Sequence, residues 1–320
     1  NIKYLPLFAV SLALLFTIKE TAIIMLFIVF VIALININII KKINFKEDYH
    51  LILLSIFLFL LIYILLFTSF FSNPQGLIDS IKGFMPWTSR GFEGAGHEKP
   101  FYYYILLLLR YEWPILLLAL FGLYFAYRNK DVFSRNIAIW FLFSFIIYSL
   151  IPYKTPWLII NITAPMCLLA AIGINNIKLN GLKKNFKTLF FILILIGFAY
   201  LVYFSINLNF IKHWQEENKF AYVHTDKNIL GLVDKVNELY KSDSAILMVS
   251  DEYWPLPFYF DGKNVTYSNY YNVTNDDLKL YNILIVRDKF FYESEFSSEY
   301  DFIDYRLREG VDLVLAWRER

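Results

Sequence analysis

The sequence predicts a polytopic helical membrane bundle joined to a small soluble α/β domain. Three observations predict it. Of the 320 residues 58% are hydrophobic and 20% aromatic, and the apolar residues come in runs rather than in a one-sided stripe, the pattern of spanning helices. Charge is divided: residues 1–207 carry 17 Lys/Arg against 8 Asp/Glu, and residues 208–320 carry 13 against 20, so a net +9 precedes a net −7 and the two give the chain's +2. Beyond Asn209 the long apolar runs give way to short, alternating ones. The expected division is therefore a membrane domain, residues 1–208, and a soluble domain, residues 209–320. The single cysteine, Cys167, excludes an intrachain disulfide.

A span needs about 20 apolar residues. Seven runs qualify or nearly do: Tyr4–Phe16, Thr21–Ile40, Leu51–Phe71, Ile105–Tyr127, Asn136–Ile151, Trp157–Ile174 and Thr188–Leu208. The chain starts at Asn1 with the first run already under way, which reads as a piece of a longer protein whose N-terminal part lies outside it. The connectors 41–50, 128–135 and 175–187 together hold ten Lys/Arg. Alternation puts all three on one side, which the positive-inside rule makes cytoplasmic. Lys19–Glu20, the segment 72–104, the turn 152–156 and the tail then share the opposite, outer face.

The segment 72–104 is long for a connector inside a bundle, and such loops are usually functional or disordered. It holds five glycines (Gly76, Gly83, Gly91, Gly94, Gly96) and a cluster suited to acid–base or phosphate chemistry: Arg90, Glu93, His97, Glu98 and Lys99. Pro100 sits where proline favours a helix start, and a helix N-terminus beside Lys and His favours an anion. An ordinary capped helix start explains the same residues without function. Lys19 and Glu20 join two spans, and ionisable groups at membrane depth are functional candidates; the bland reading is a pair reaching for the headgroups. Arg110 and Glu112 line a cavity if a helix starts near Phe101, and merely sit at the interface if 101–109 lies flat. Tyr153-Lys154-Thr155-Pro156-Trp157 places one cation between two aromatics, which elsewhere form interfacial belts.

In the tail, Ile229, Leu232, Val233, Val236 and Leu239 recur at helical spacing, so Asp226–Lys241 reads as a helix capped by Asp226. Ala245–Ser250, Asn264–Tyr267, Asn282–Arg287, Phe302–Arg306 and Val311–Trp317 read as strands. Asn264-Val265-Thr266 and Asn272-Val273-Thr274 fit the N-glycosylation sequon; Asn161-Ile162-Thr163 also fits but lies in a span. Asp251–Pro255 combines acids and aromatics that suit either sugar contact or core packing. No nucleotide-binding glycine motif, metal-ligand pair at helical spacing or Ser-His-Asp signature stands out, and nothing points to nucleic acid.

Several stretches in order carry a resemblance: GHEKPFYYY followed by RYEW, YKTPWL before a span ending LLAAIG, and YVHTD, DEYWPLPFYF and LREGVDLVL in the tail. Together they resemble the prokaryotic, largely archaeal GT-C-type membrane proteins described as protein mannosyltransferase-like and flippase-associated, over residues 17 to 320. The resemblance implies a GT-C bundle in the cell membrane with an extracytoplasmic tail. It implies a polyprenyl- or dolichyl-phosphate-linked sugar donor, membrane lipids as surroundings, and a glycan or protein acceptor. Such enzymes usually place a catalytic acid in the first outer loop, which precedes this chain, so the general base lies outside it and the chain alone is expected to be inactive.

Inverting transfer needs a carboxylate on the acceptor hydroxyl and positive charge where the lipid phosphate departs. Glu20, His97 and Glu98 are the expected catalytic or orienting groups. Lys19, Arg90, Glu93, Lys99, Tyr102 and Lys154 are the expected substrate contacts. The residues assign no cofactor; a divalent metal is compatible with the resemblance, as in some relatives, but no ligand set here demands one. The competing reading is a non-catalytic protein that binds lipid-linked oligosaccharide and assists its flipping.

Overall fold

The structure, a computed structural model, describes residues 2–40, 45–93, 98–129, 131–177, 183–215, 217–221, 223–269, 273–293 and 298–318. The chain forms two compact units, Asn1–Ser205 and Ile206–Arg320.

The first unit is helical. Its helices are α1 (Leu5–Ile18), α2 (Ala22–Ile35), α3 (Ile37–Ile40), α4 (Phe45–Phe67), α5 (Gly76–Lys82), α6 (Phe84–Glu93), α7 (Tyr103–Tyr111), α8 (Trp113–Asn129), α9 (Val132–Leu150), α10 (Ile160–Asn176) and α11 (Lys184–Ile206). Among the described residues four helical stretches are long and apolar enough to cross a membrane: Lys46–Phe67, Val132–Leu150, Pro156–Asn176 and Lys184–Ile211. The bent pair α7–α8 makes a fifth if counted as one span. Large apolar side chains stand exposed on these helices, among them Leu53, Phe57 and Leu60 on α4 and Phe191, Leu195 and Phe198 on α11. Exposed faces of this kind suggest a lipid environment.

The first two expected spans come out short. Helices α1 and α2 have 14 residues each, about 21 Å at ~1.5 Å per residue, against a hydrocarbon core of ~30 Å. Helix α2 stops at Asn36 because that side chain turns to other partners. Its Nδ2 donates to Ile32 O at 2.7 Å and to Asn136 Oδ1 at 2.9 Å, and its Oδ1 accepts from Arg135 at 2.9 Å. Asparagine offers the backbone such alternatives to a helix ladder. The run Thr21–Ile40 is therefore a helix and one further turn.

The expected single span Ile105–Tyr127 is two helices meeting at 108°. Pro114 accounts for the break. It has no N–H, so the carbonyl four residues back, at Arg110, loses its helical donor. The Tyr200 hydroxyl of α11 donates to that carbonyl instead, and the Tyr200 and Trp113 rings meet at 5.5 Å. The segment 72–104, read from its glycines as a loop, carries two helices, α5 and α6, hinged at Gly83. The helix expected from Pro100 begins at Tyr103, with Tyr102 as its N-cap residue.

Helix α1 packs on α4, α2 on α9, and α8 on α10. Helix α9 starts at Asp131, whose Oδ1 accepts from Ser134 N at 3.1 Å. Hydrogen bonds from Ser134 hold this exposed carboxyl below the usual aspartate range. A group whose folded pKa is depressed stabilises above its unfolded value, about 3.9, and that contribution is lost as pH falls through the folded value. Asp131→Ala should therefore cost about 0.5–1 kcal/mol near pH 6, with the difference from wild type vanishing in acid. Thermal melting of both proteins at stepped pH measures it; a pH-independent difference would remove the cap as its cause.

The second unit holds α12 (Asn228–Leu239), β1 (Ile246–Val249), α13 (Leu256–Tyr259), β2 (Val265–Ser268), α14 (Asn275–Leu278), β3 (Ile283–Arg287), α15 (Asp288–Tyr292), β4 (Asp301–Arg308) and β5 (Val311–Trp317). The strand order is β2-β1-β3-β5-β4. β1 pairs parallel with β2 and β3, and β5 pairs antiparallel with β3 and β4. All five expected strands are present within a residue or two. Asp226 does not cap α12 as expected; Lys227 is the N-cap residue, and Asp226 Oδ1 accepts from Asn228 N at 2.9 Å. The sheet is buried on both faces. Ile229, Leu232, Val233 and Val236 of α12 cover Ile246, Met248, Ile283 and Ile285. Leu247, Val249, Leu284 and Val286 pack with Leu278, Phe291 and Tyr300 on the other side. Burial on both faces is why β1 and β3 read as unbroken apolar runs. Of the two tail sequons, Asn264 is exposed just before β2, and Asn272 lies outside the described residues.

Candidate functional site

Three stretches far apart in sequence meet around a cavity of about 380 Å³ in the first unit. The α1–α2 turn gives Lys19, Glu20 and Thr21; the α5–α6 region gives Gly83, Pro86 and Thr88; the α9–α10 connection gives Tyr148, Ile151, Tyr153, Thr155, Trp157 and Leu158. The volume falls in the range of small-molecule sites, ~300–1,000 Å³.

Each wall has a local reason. Helix α1 ends because Lys19 adopts extended backbone, φ −162° and ψ 148°. The next turn is closed by Ala22 N to Lys19 O at 3.0 Å and Ile24 N to Thr21 O at 3.0 Å. That turn presents one cation beside one carboxylate. The Lys19 ammonium lies 5.6 Å from the centroid of the Trp157 ring, within reach of a cation–π attraction. On the facing wall Pro152 and Pro156 flank the connection and stop α9 from running into α10. Tyr148 of α9 and Thr21 of the α1–α2 turn line the same cavity, which brings the two elements together there. Thr155 is fully buried, and its Oγ1 has no partner among the described residues.

Lys154 is not among the residues that line the cavity. It is 3% exposed. Its Nζ donates to Ile151 O at 2.5 Å and to Lys99 O at 3.1 Å. The sequence suggests Lys154 as a phosphate contact; the structure uses its ammonium to tie two stretches of backbone. Around it Glu98 bridges Tyr153, Lys99 N donates to Pro152 O at 3.3 Å, and the Tyr104 hydroxyl donates to Thr155 O at 3.1 Å. Lys154 is thus a strut that sets the wall holding Tyr153 and Thr155.

Losing charge-assisted bonds from a buried group costs ~1.5–3 kcal/mol, so Lys154→Met should lower the melting temperature. Burial pushes the Lys154 amine below the ordinary lysine value. Between that folded value and the unfolded value of ~10.4 the unfolded chain binds more protons, so stability rises with pH there. The gap between wild type and Lys154→Met should widen as pH rises through this window. A gap that narrows instead would contradict burial as the cause.

The other expected site residues are dispersed. Lys19 and Glu20 line the cavity. Glu98 and Lys99 are exposed, and their backbone borders the 152–153 turn. Tyr102 is exposed against Phe101, ring centroids 5.5 Å apart, and is not a lining residue. His97 and the side chains of Arg90 and Glu93 lie outside the described residues. The sequence reading did not single out Tyr148 or Thr88. Tyr153, Thr155 and Trp157 carried a signal in the YKTPW stretch, where they flank the lysine. Among the described residues no three His, Cys, Asp or Glu side chains come together as a metal site. Comparison with protein-family models, curated proteins and solved structures finds no match to this chain.

Proposed function

We propose that the protein is a multi-pass membrane glycosyltransferase of GT-C type. It takes a sugar from a polyprenyl- or dolichyl-phosphate donor and passes it to a protein or glycan acceptor. In this reading the first unit crosses the membrane seven times, with connectors 41–50, 128–135 and 175–187 on the cytoplasmic side. The cavity then opens on the outer face, and the second unit is extracytoplasmic. The observation that carries the reading is the meeting of Lys19 and Glu20 with Thr155, Tyr153 and Trp157 around one cavity. A cation beside an aromatic ring suits a phosphate with an attached sugar, and the apolar remainder suits the start of a lipid chain.

The chemistry follows from those groups. The acceptor oxygen bonds to the anomeric carbon while the bond to the lipid phosphate oxygen breaks. The acceptor proton passes to a carboxylate. Negative charge grows on the departing phosphate, where Lys19 is the nearest described cation of the cavity wall. Glu20 orients that ammonium or the acceptor hydroxyl.

The test is release and transfer of sugar from a radiolabelled polyprenyl-phosphate sugar by the full-length protein in liposomes. Transfer is expected. Donor binding without release would favour a lipid-linked oligosaccharide carrier, and absence of both would overturn the reading.

A further inference from the structure

The second unit has a cleft of its own, about 280 Å³, that the proposed transfer does not use. Its walls come from two stretches singled out in the sequence, YVHTD and LREG, and from the segment preceding them. His224 and Asp226 come from the first, Arg308 and Glu309 from the second, and Trp214 and Gln215 from the preceding segment. We propose that this cleft binds a neutral saccharide unit of a glycan.

The walls are held by backbone and side-chain bonds rather than by loose contacts. Asp226 N donates to Leu307 O at 2.8 Å, which fastens the 224–226 segment to β4. His224 Nε2 meets Asn218 O at 3.0 Å. A carbonyl can only accept, so Nε2 carries the proton and a neutral His224 keeps Nδ1 as an acceptor. Asn218 is itself fixed, with its Nδ2 on Leu208 O at 3.1 Å and its Oδ1 accepting from Phe220 N at 3.1 Å. Arg308 donates to Trp254 O and lies 3.5 Å from Glu252. A third stretch, DEYW, therefore braces the same guanidinium.

The chemistry of the walls selects the ligand. Glu217, Asp226 and Glu309 line the cleft together with Arg306 and Arg308, and the Lys227 ammonium stands at its Trp214 wall, so acidic and basic groups are in balance there. A phosphate would meet the carboxylates, and a metal cation would meet the guanidinia. A neutral polyol meets acceptors and donors in alternation, each of which its hydroxyls can match. Trp214 adds an apolar wall for the carbon face of a ring, with the Lys227 ammonium 5.0 Å from its centroid. The indole N–H of Trp214 and Nε of Arg308 are buried with no partner among the described residues. Donors left so are costly, and both belong to residues of the cleft wall.

The test uses the whole chain in a detergent without a sugar headgroup, applied to an array of defined neutral, sialylated and phosphorylated oligosaccharides. Retention of neutral glycans is expected. Asp226→Asn and Glu309→Gln should each weaken it at least tenfold with unchanged melting, and the distant Asp261→Asn should not. Asp226→Asn keeps the acceptor that bonds Asn228 N, so folding is spared. Retention of no neutral glycan overturns the proposal, as does retention of charged glycans alone or retention indifferent to both wall substitutions. The proposal does not rest on the transfer reaction: a glycan-binding second unit survives a failed transfer assay, and the reverse also holds.

Discussion

Gly122→Ala is expected to be strongly destabilising to the packing of α8 on α10. A Cβ at Gly122 would stand 1.9 Å from Leu169 O and 2.6 Å from Leu169 C. Across the same contact a Cβ at Gly173 would stand 2.4 Å from Leu118 O and 2.9 Å from Gly122 N. These obstacles are backbone atoms of a packed helix, so no rotamer change relieves them. α8 and α10 must part by roughly an ångström, which strips van der Waals contact along the whole pair. Between helices in lipid such contact is a main attraction, and small residues are what permit it. Overpacking usually costs ~1–3 kcal/mol, and the upper end applies here because both partners are main chain. At ~2–4 °C per kcal/mol the melting temperature should fall by roughly 5–10 °C. The loss reaches the cavity too, because α10 follows directly on the turn Pro156–Ile159 beside Thr155 and Trp157. A Gly122→Ala protein that melts with wild type would show that the two helices are not packed this closely.

What the sequence showed of this fold depended on which forces act locally. Helices α4, α9, α10 and α11 were legible because an uninterrupted apolar run of their length has few alternatives. The tail sheet was legible because its strands are bounded by turn residues and buried on both faces. The interruptions were harder to read. Pro114 was visible, but its consequence, a 108° bend, depends on the Tyr200 hydroxyl taking up the Arg110 carbonyl. Asn36 ends α2 through Arg135 and Asn136, about a hundred residues away. Glycines suggested a loop at 72–104; yet Gly76 starts a helix where a Cβ would lie 1.8 Å from Phe67 O. There the glycine answers a close approach and not a need for flexibility.

The candidate site was legible as a set of segments and not as a set of side chains. The α1–α2 turn, the 72–104 segment and the 152–156 turn do meet. Which cation of the set faces the cavity could not follow from composition. A lysine next to an unpaired carbonyl and a lysine next to an empty space are identical in sequence. Lys154 has two carbonyls in reach and is buried among them; Lys19 has a tryptophan face and the cavity. Their neighbours decide the roles.

That difference makes the functional prediction specific. Lys19→Met should reduce sugar transfer by about 10–100-fold, the equivalent of one charge-assisted bond to a phosphate at ~1.5–3 kcal/mol. The loss should fall on kcat more than on KM, since the charge that Lys19 meets is largest in the transition state. Glu20→Gln keeps the shape and the hydrogen-bonding capacity and removes the charge. It should lower the rate in the same direction, and together with Lys19→Met it should cost less than the product of the two single losses, because the groups act as a pair. Lys99→Met is the control: Lys99 is exposed and outside the cavity wall, and it belongs to the same expected set, so it should leave the rate near wild type. Equal losses from Lys19→Met and Lys99→Met would mean that general surface charge, and not the cavity, governs the reaction. A Lys19→Met enzyme with wild-type kinetics would remove the cavity from the mechanism altogether, because no other described cation lines it.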